Sequence, residues 1–153
     1  MDRVAIALGS NVGDRRAHLD YAVSKLRALL AHLAVSRYYD TVPVGVSGPQ
    51  AMFLNAALVG ETTLSARELL DALQAIEQER GRERPYANAP RTLDLDLILL
   101  GDVVLEEPGL RVPHPRFRER RFVLEPLAAV APELRDPVSG RTIATLLREL
   151  GSS

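Results

Sequence analysis

Cysteine is absent from the 153 residues, which excludes disulfides and thiolate metal sites and suits a cytoplasmic protein. Histidine is scarce, and His18, His32 and His114 show no zinc-ligand spacing. Aromatic residues make up 5% of the chain, which leaves few platforms for stacking single-stranded bases. The net charge of −1 argues against a general nucleic-acid binder. No apolar run approaches the ~20 residues of a membrane span, and the chain enters a strand at Val4 without a charged-then-apolar leader, so neither secretion nor a membrane anchor is expected. Lysine is nearly missing: Lys25 stands against 18 arginines. A Walker loop needs Gly-Lys-Ser/Thr and a protein kinase needs its strand lysine. Neither pattern occurs, nor does Gly-x-Gly-x-x-Gly, so a polyphosphate here would have to be met by arginine and metal. The arginine bias is also what a GC-rich genome would produce.

With 46% hydrophobic residues, the chain is long enough for one domain, residues 1–153, with an adequate core. Val4 to Leu8 alternates large and small side chains and stops at Gly9-Ser10-Asn11, as a central strand before a turn does. From Arg16 to Leu33, apolar residues at helical spacing predict a helix capped by Asp14. Val35 to Val42 reads as extended, residues 43–49 as loop, and Phe53 to Glu61 as a further strand. Ser65-x-x-Glu68 is a capping box that opens a second helix, ending near Gly81. Asp94 to Leu100 is the last strand of this set. A hairpin near Val103 to Val112, short helices and a terminal helix on Ile143, Leu146, Leu147 and Leu150 complete the chain. Strand, helix, two strands, helix, strand is a split βαβ order. It predicts an α+β fold: a ferredoxin-like αβ sandwich with a mainly antiparallel sheet and both of these helices on one face.

The most informative stretch is Pro90-Arg91-Thr92-Leu93-Asp94-Leu95-Asp96. Alternation places Leu93, Leu95, Leu97 and Leu99 on one face and Asp94, Asp96, Ile98 and Leu100 on the other. Two like charges about 7 Å apart on one strand face repel, unless they lie in water or hold a cation. Oxygen-only ligands of this kind suit Mg²⁺, above all when a phosphate ester supplies further ligands.

Other residues extend this chemistry. Glu77 sits at the edge of the apolar stripe of the second helix, where it could pair with Arg80 or Arg84, or orient a ligand or metal-bound water. Residues 81–90 lack apolar periodicity and read as a mobile loop that brings Arg82 and Arg84, with Arg91, to either side of the acidic strand. The run from Arg111 to Phe122 carries five arginines and His114 between two prolines; it could hold a polyphosphate, or bind RNA through Phe117 and Phe122. Phe53 and Asn55 share a strand face and would suit a planar heterocycle, although Phe53 alone would be ordinary core.

Ala89-Pro90-Arg91-x-x-Asp94-Leu95-Asp96-Leu97-Ile98 resembles the signature of the 6-hydroxymethyl-7,8-dihydropterin pyrophosphokinases of folate biosynthesis. Gly9-Ser10-Asn11, Phe53-Leu54-Asn55-Ala56 and Val112-Pro113-His114-Pro115-Arg116 match the other blocks of that family in order. The resemblance implies a ferredoxin-like fold and transfer of the β,γ-pyrophosphoryl group of ATP to a pterin hydroxymethyl oxygen, releasing AMP. It implies two Mg²⁺ ions on Asp94 and Asp96, and Arg82 and Arg91 acting on the phosphates. It also implies an ATP site that includes Gln74, Glu77, Arg84, Leu97, Arg111, His114 and Arg120. The pterin would lie against Phe53, Asn55 and Phe122, with the backbone near Thr41, Pro43 and Val44 at its polar edge. ATP and a pterin are then the expected partners of a cytoplasmic enzyme, expected to be a monomer, with no nucleic acid or membrane. The chain departs from many family members at Ala87-Asn88, where they carry a basic residue and a tryptophan.

Overall fold

The computed structural model of the chain describes residues 1–41, 52–81 and 92–151. Its centre is strand β1 (Asp2–Ser10), which pairs on one side with β4 (Phe53–Thr62) and on the other with β5 (Asp94–Leu100). β2 (Ala31–Val35) and β3 (Tyr39–Thr41) both pair with the outer side of β4, giving the order β2-β4-β1-β5 with β3 beyond the end of β2. Every pairing in this sheet is antiparallel. The order is the one expected for a split βαβ sandwich.

Helix α1 (Arg15–Leu29) is capped as its sequence predicts, with Asp14 Oδ1 accepting from the Ala17 N–H at 3.1 Å. It ends four residues earlier than its apolar spacing suggests. Leu30 is already extended, and Ala31, Ala34 and Val35 take up pairing with Glu61, Val59 and Leu58 of β4. Ladder bonds to a neighbouring strand satisfy the same backbone groups that another helical turn would. Leu33 still packs on the core that α1 covers, so the periodicity located the right core through the wrong element. The extended stretch after Val35 is likewise broken, with Ser36 to Tyr38 lying between β2 and β3.

Helix α2 (Ala66–Gly81) opens on the predicted capping box: Ser65 N–H donates to Glu68 Oε1 at 2.9 Å and Glu68 N–H to Ser65 Oγ at 3.1 Å. Leu19, Ala22 and Leu26 of α1 and Leu69, Leu73 and Ile76 of α2 bury against Ile6, Leu8, Leu54, Leu58, Leu95 and Leu97, so both helices share one face of the sheet. The other face is covered by α3 (Arg121–Val130) and α4 (Ile143–Gly151), which enclose Ala5, Ala57, Val59, Ile98 and Leu99. This third layer was visible in the sequence only as short helices.

β5 departs from simple alternation. Ile6 pairs with Leu97 and Ala5 with Leu99, leaving Ile98 as the extra residue of a bulge. Beyond it the faces exchange: Leu97 and Leu100 lie with α1 and α2, whereas Ile98 and Leu99 lie with α3 and α4. The assignment of Leu99 to the face of Leu93, and of Leu100 to that of the aspartates, is therefore corrected. The Ile98 carbonyl accepts the His114 N–H at 2.9 Å and thereby ties the segment after the hairpin β6 (Leu105–Glu107) and β7 (Leu110–Val112) to the acidic strand. The Val112–Pro113 peptide between them is cis. Among the described residues no helix is long and apolar enough to cross a membrane.

Candidate active site

An open cleft of about 770 Å³ lies on the α3/α4 face of the sheet, at the end where those helices leave the strands uncovered. That volume suits a small-molecule site. Its floor is made by Ala7 and Gly9 of β1, both small. The strand register then dictates the walls. Gly9 stands opposite Asn55 on one side and Asp94 on the other, and Ala7 stands opposite Ala57 and Asp96. An amide and two carboxylates are thus held in adjacent rows of one sheet face, with Asn55 and Asp94 roughly 10 Å apart, two strand spacings.

On the amide side, Asn55 is 7% exposed and its Nδ2 donates to Thr41 Oγ1, the hydroxyl of the neighbouring strand β3. Phe53, two residues away, adds a half-buried ring beside it. On the opposite wall, Asp94 and Asp96 are both partly exposed toward the cleft, while the intervening Leu95 is buried in the opposite core. Glu77 reaches this strand from α2: its carboxylate accepts the Leu95 N–H at 2.7 Å. It holds the backbone between the two aspartates. Arg80, one of its expected partners, instead donates from Nε to His18 Nδ1 at 2.8 Å. Burial and the Arg80 charge lower the pKa of His18, which keeps that nitrogen an acceptor.

The rim comes from the segment after Pro115. Arg116, Arg120, Arg121 and Phe122 all line the cleft, with the Arg120 guanidinium 5.6 Å from the centre of the Phe122 ring. Two structural facts aim this segment. Phe117 is completely buried under α3 and α4, and Arg118 folds over its ring to meet Asp136 through Nε at 2.5 Å and Nη2 at 2.8 Å. Burial raises the Asp136 carboxyl, but hydrogen bonds from Arg118, Ser139 and the Val138 N–H outweigh it and bring the pKa down to about 2. His114 is half-buried, and burial together with Arg120 and Arg116 outweighs the pull of Asp96, so its pKa is lowered. Its Nδ1 accepts the Arg116 N–H at 3.1 Å, which leaves the proton of the neutral ring on Nε2.

Seven residues singled out in the sequence therefore line one cleft: Thr41, Phe53, Asn55, Asp94, Asp96, Arg120 and Phe122. Others do not line it. Leu97 is buried against the α1/α2 side, so its side chain belongs to the core. Gln74 is exposed on α2, and Arg111 is exposed on β7, 3.7 Å from Glu106 of its own hairpin. Arg82, Arg84, Arg91, Pro43 and Val44 lie outside the described residues. The RNA reading loses one of its two stacking rings, because Phe117 has no exposed surface. The sequence reading missed Gly9 and Ala7 as floor, Arg116 and Arg121 as rim, and Leu150 at the edge. The basic run pointed to the two arginines as a group, but no local signal marks Leu150.

Residues 5–132 match the model of the 7,8-dihydro-6-hydroxymethylpterin-pyrophosphokinase family. The 2-amino-4-hydroxy-6-hydroxymethyldihydropteridine pyrophosphokinase of Pseudomonas aeruginosa is 44% identical over 96% of this chain and 91% of its own length. The Bacillus subtilis protein of the same name is 46% identical over 88% of this chain and 81% of its own. Among solved structures, the Plasmodium falciparum HPPK-DHPS chain with pteroate superposes with a TM-score of 0.78 at 14% identity. It matches 99% of this chain, which spans 42% of that longer one, and the likeness establishes the fold.

Proposed function

We propose that this chain, which belongs to the 7,8-dihydro-6-hydroxymethylpterin-pyrophosphokinase family, carries out that family's reaction in the cleft between Asn55 and Asp94. The reaction moves pyrophosphate from ATP to the hydroxymethyl group of 6-hydroxymethyl-7,8-dihydropterin, in folate biosynthesis. The observation that carries the placement is the register of three strands, which sets the Asn55 amide and a pair of carboxylates on either side of a bare glycine.

In this reading the pterin edge pairs with Asn55 and the segment after Thr41, including Pro43 and Val44, and its ring lies between Phe53 and Phe122. The hydroxymethyl arm then points along the floor toward the acidic strand. Asp94 and Asp96 fit magnesium and would hold it: they are two oxygen donors on one strand face, both partly exposed toward the cleft. Two Mg²⁺ ions bound there supply charge neutralisation on the triphosphate and an activated hydroxymethyl oxygen. Arg116, Arg120 and Arg121 meet phosphate oxygens from the rim, joined by Arg91 of the signature and by Arg82 and Arg84, as the family resemblance implies. His114 contributes its Nε2–H as a donor, because Nδ1 already accepts the Arg116 N–H. Glu77 acts indirectly, by holding the Leu95 N–H between the two aspartates, and a part for Gln74 and Arg111, which lie outside the cleft, rests on the family resemblance.

The hydroxymethyl oxygen attacks the β-phosphorus in line with the bond to the α-phosphate oxygen. The new O–P bond forms as that bond breaks, AMP departs with its electron pair, and the hydroxyl proton passes to solvent. We assign the activity to one unit, residues 1–153, acting as a cytoplasmic monomer. The large apolar side chains exposed among the described residues, Met1, Met52, Val104 and Val138, form no run along the sequence.

The test is product analysis. Purified chain with Mg²⁺ and ATP should yield AMP only when 6-hydroxymethyl-7,8-dihydropterin is added. Formation of ADP, or of AMP at an equal rate without the pterin, would overturn the assignment.

A further inference from the structure

Gly9 poses a question that backbone geometry does not answer. A glycine inside a strand weakens it, because more backbone freedom is lost on folding and no side chain packs. Its usual excuse is a positive φ, which Gly13, Gly101, Gly109 and Gly140 have and Gly9 lacks. The reason lies in the space. A β-carbon built on Gly9 would stand 3.0 Å from Asn55 Oδ1, closer than carbon and oxygen settle without one of them moving. The Asn55 amide is therefore bonded at one end and given room at the other. Its Nδ2 donates to Thr41 Oγ1 across β4 and β3, and its Oδ1 lies in the room left by Gly9 across β4 and β1. With the side chain 7% exposed, few other orientations are open to it.

We infer that Gly9 and the Thr41 hydroxyl are positioning residues for substrate recognition: together they set the plane of the Asn55 amide, so that a flat heterocycle meets a pre-oriented donor and acceptor. The inference rests on the pterin site proposed above and deepens it. A group already turned toward its ligand spends no binding free energy on reorientation, and one displaced by a few tenths of an ångström pairs poorly. Gly9 also floors the cleft and stands opposite Asp94, so a β-carbon there could meet the ligand directly. Only an influence that passes through Asn55 vanishes when Asn55 is truncated, whereas a direct clash survives.

A double-mutant cycle reads this directly. Calorimetric titration with 6-hydroxymethylpterin, in the presence of Mg²⁺ and a non-hydrolysable ATP analogue, is run on wild type, Gly9→Ala, Asn55→Ala and the double variant. Gly9→Ala should weaken pterin binding about tenfold, within the range expected for a misplaced buried polar contact. Affinity for the ATP analogue should stay within about twofold, and the double variant should bind no worse than Asn55→Ala alone. If Gly9→Ala binds pterin like wild type, or if the two losses multiply, the inference is wrong. Thr41→Val keeps the β-branched shape and removes the acceptor, so it tests the other end should Gly9→Ala lack a cooperative melt. Its loss must also vanish in the Asn55→Ala background, and a silent or additive Thr41→Val overturns the proposal. A wild-type protein that binds the ATP analogue but no pterin would instead overturn the pterin reading itself, and this inference with it.

Discussion

The two faces of the sheet are made from the same strands and differ in what alternate residues do. The face under α1 and α2 presents Ile6, Leu8, Leu54, Leu58, Leu95 and Leu97, all nearly inaccessible. The face under α3 and α4 presents Ala5, Ala7, Gly9, Asn55, Ala57 and Val59, and at one end it stays open as the cleft. Large side chains fill the first space from end to end, whereas small ones let two short helices approach closely over half the second and leave the rest to ligand. Stability and chemistry are thus separated by a strand's thickness, and a period of two in the sequence is enough to do it.

The largest expected effect breaks the closed face. Leu69 is fully buried in the first turn of α2, so Leu69→Ala should cost ~2–5 kcal/mol of folding stability in urea unfolding. Turnover per folded molecule should be unchanged. A fall in kcat among molecules shown to be folded would mean that the two faces are coupled.

On the open face the balance should invert. Asp96→Asn should lower kcat by roughly 10²–10³, or ~3–4 kcal/mol of transition-state stabilisation, with the melting temperature almost unmoved. Near wild-type turnover at saturating Mg²⁺ would remove this strand from the catalytic assignment.

Asp136 sharpens the comparison because it belongs to neither category: it is buried and structural, yet it aims the arginine rim through Arg118. Its carboxyl is held near 2 against an ordinary 3.8, so its contribution is fully present above about pH 4 and is lost as the pH falls through 2. Asp136→Asn should cost ~1.5–3 kcal/mol at neutral pH and flatten the acid limb of a stability profile between pH 4 and 2. The KM for ATP should rise by a few-fold as the rim loosens. Acid limbs that superimpose for the two proteins would show that the Arg118 pair contributes nothing through its charge.

What the sequence by itself determined was whatever a local pattern can encode. The Asp14 cap, the Ser65/Glu68 capping box and the hairpin rest on contacts within a few residues and stand as read, as do the first strand and the split βαβ order of the elements. So do the shared face of the acidic pair and that of Phe53 and Asn55, because no bulge falls between their members. Only the tertiary structure decided the rest. Where α1 stops depends on β4 offering ladder bonds to residues 31–35, and helical periodicity is blind to such a partner. The bulge at Ile98, which moves Leu99 to the other face, arises from pairing with β1 and is reinforced by the His114 N–H sixteen residues away. The arginines divide for the same reason. Arg111, Arg118 and Arg120 look alike in one basic run, yet one pairs within a hairpin, one is drawn down to a buried carboxylate and one faces the cleft. A charge is a local property, whereas its partner is supplied by the fold.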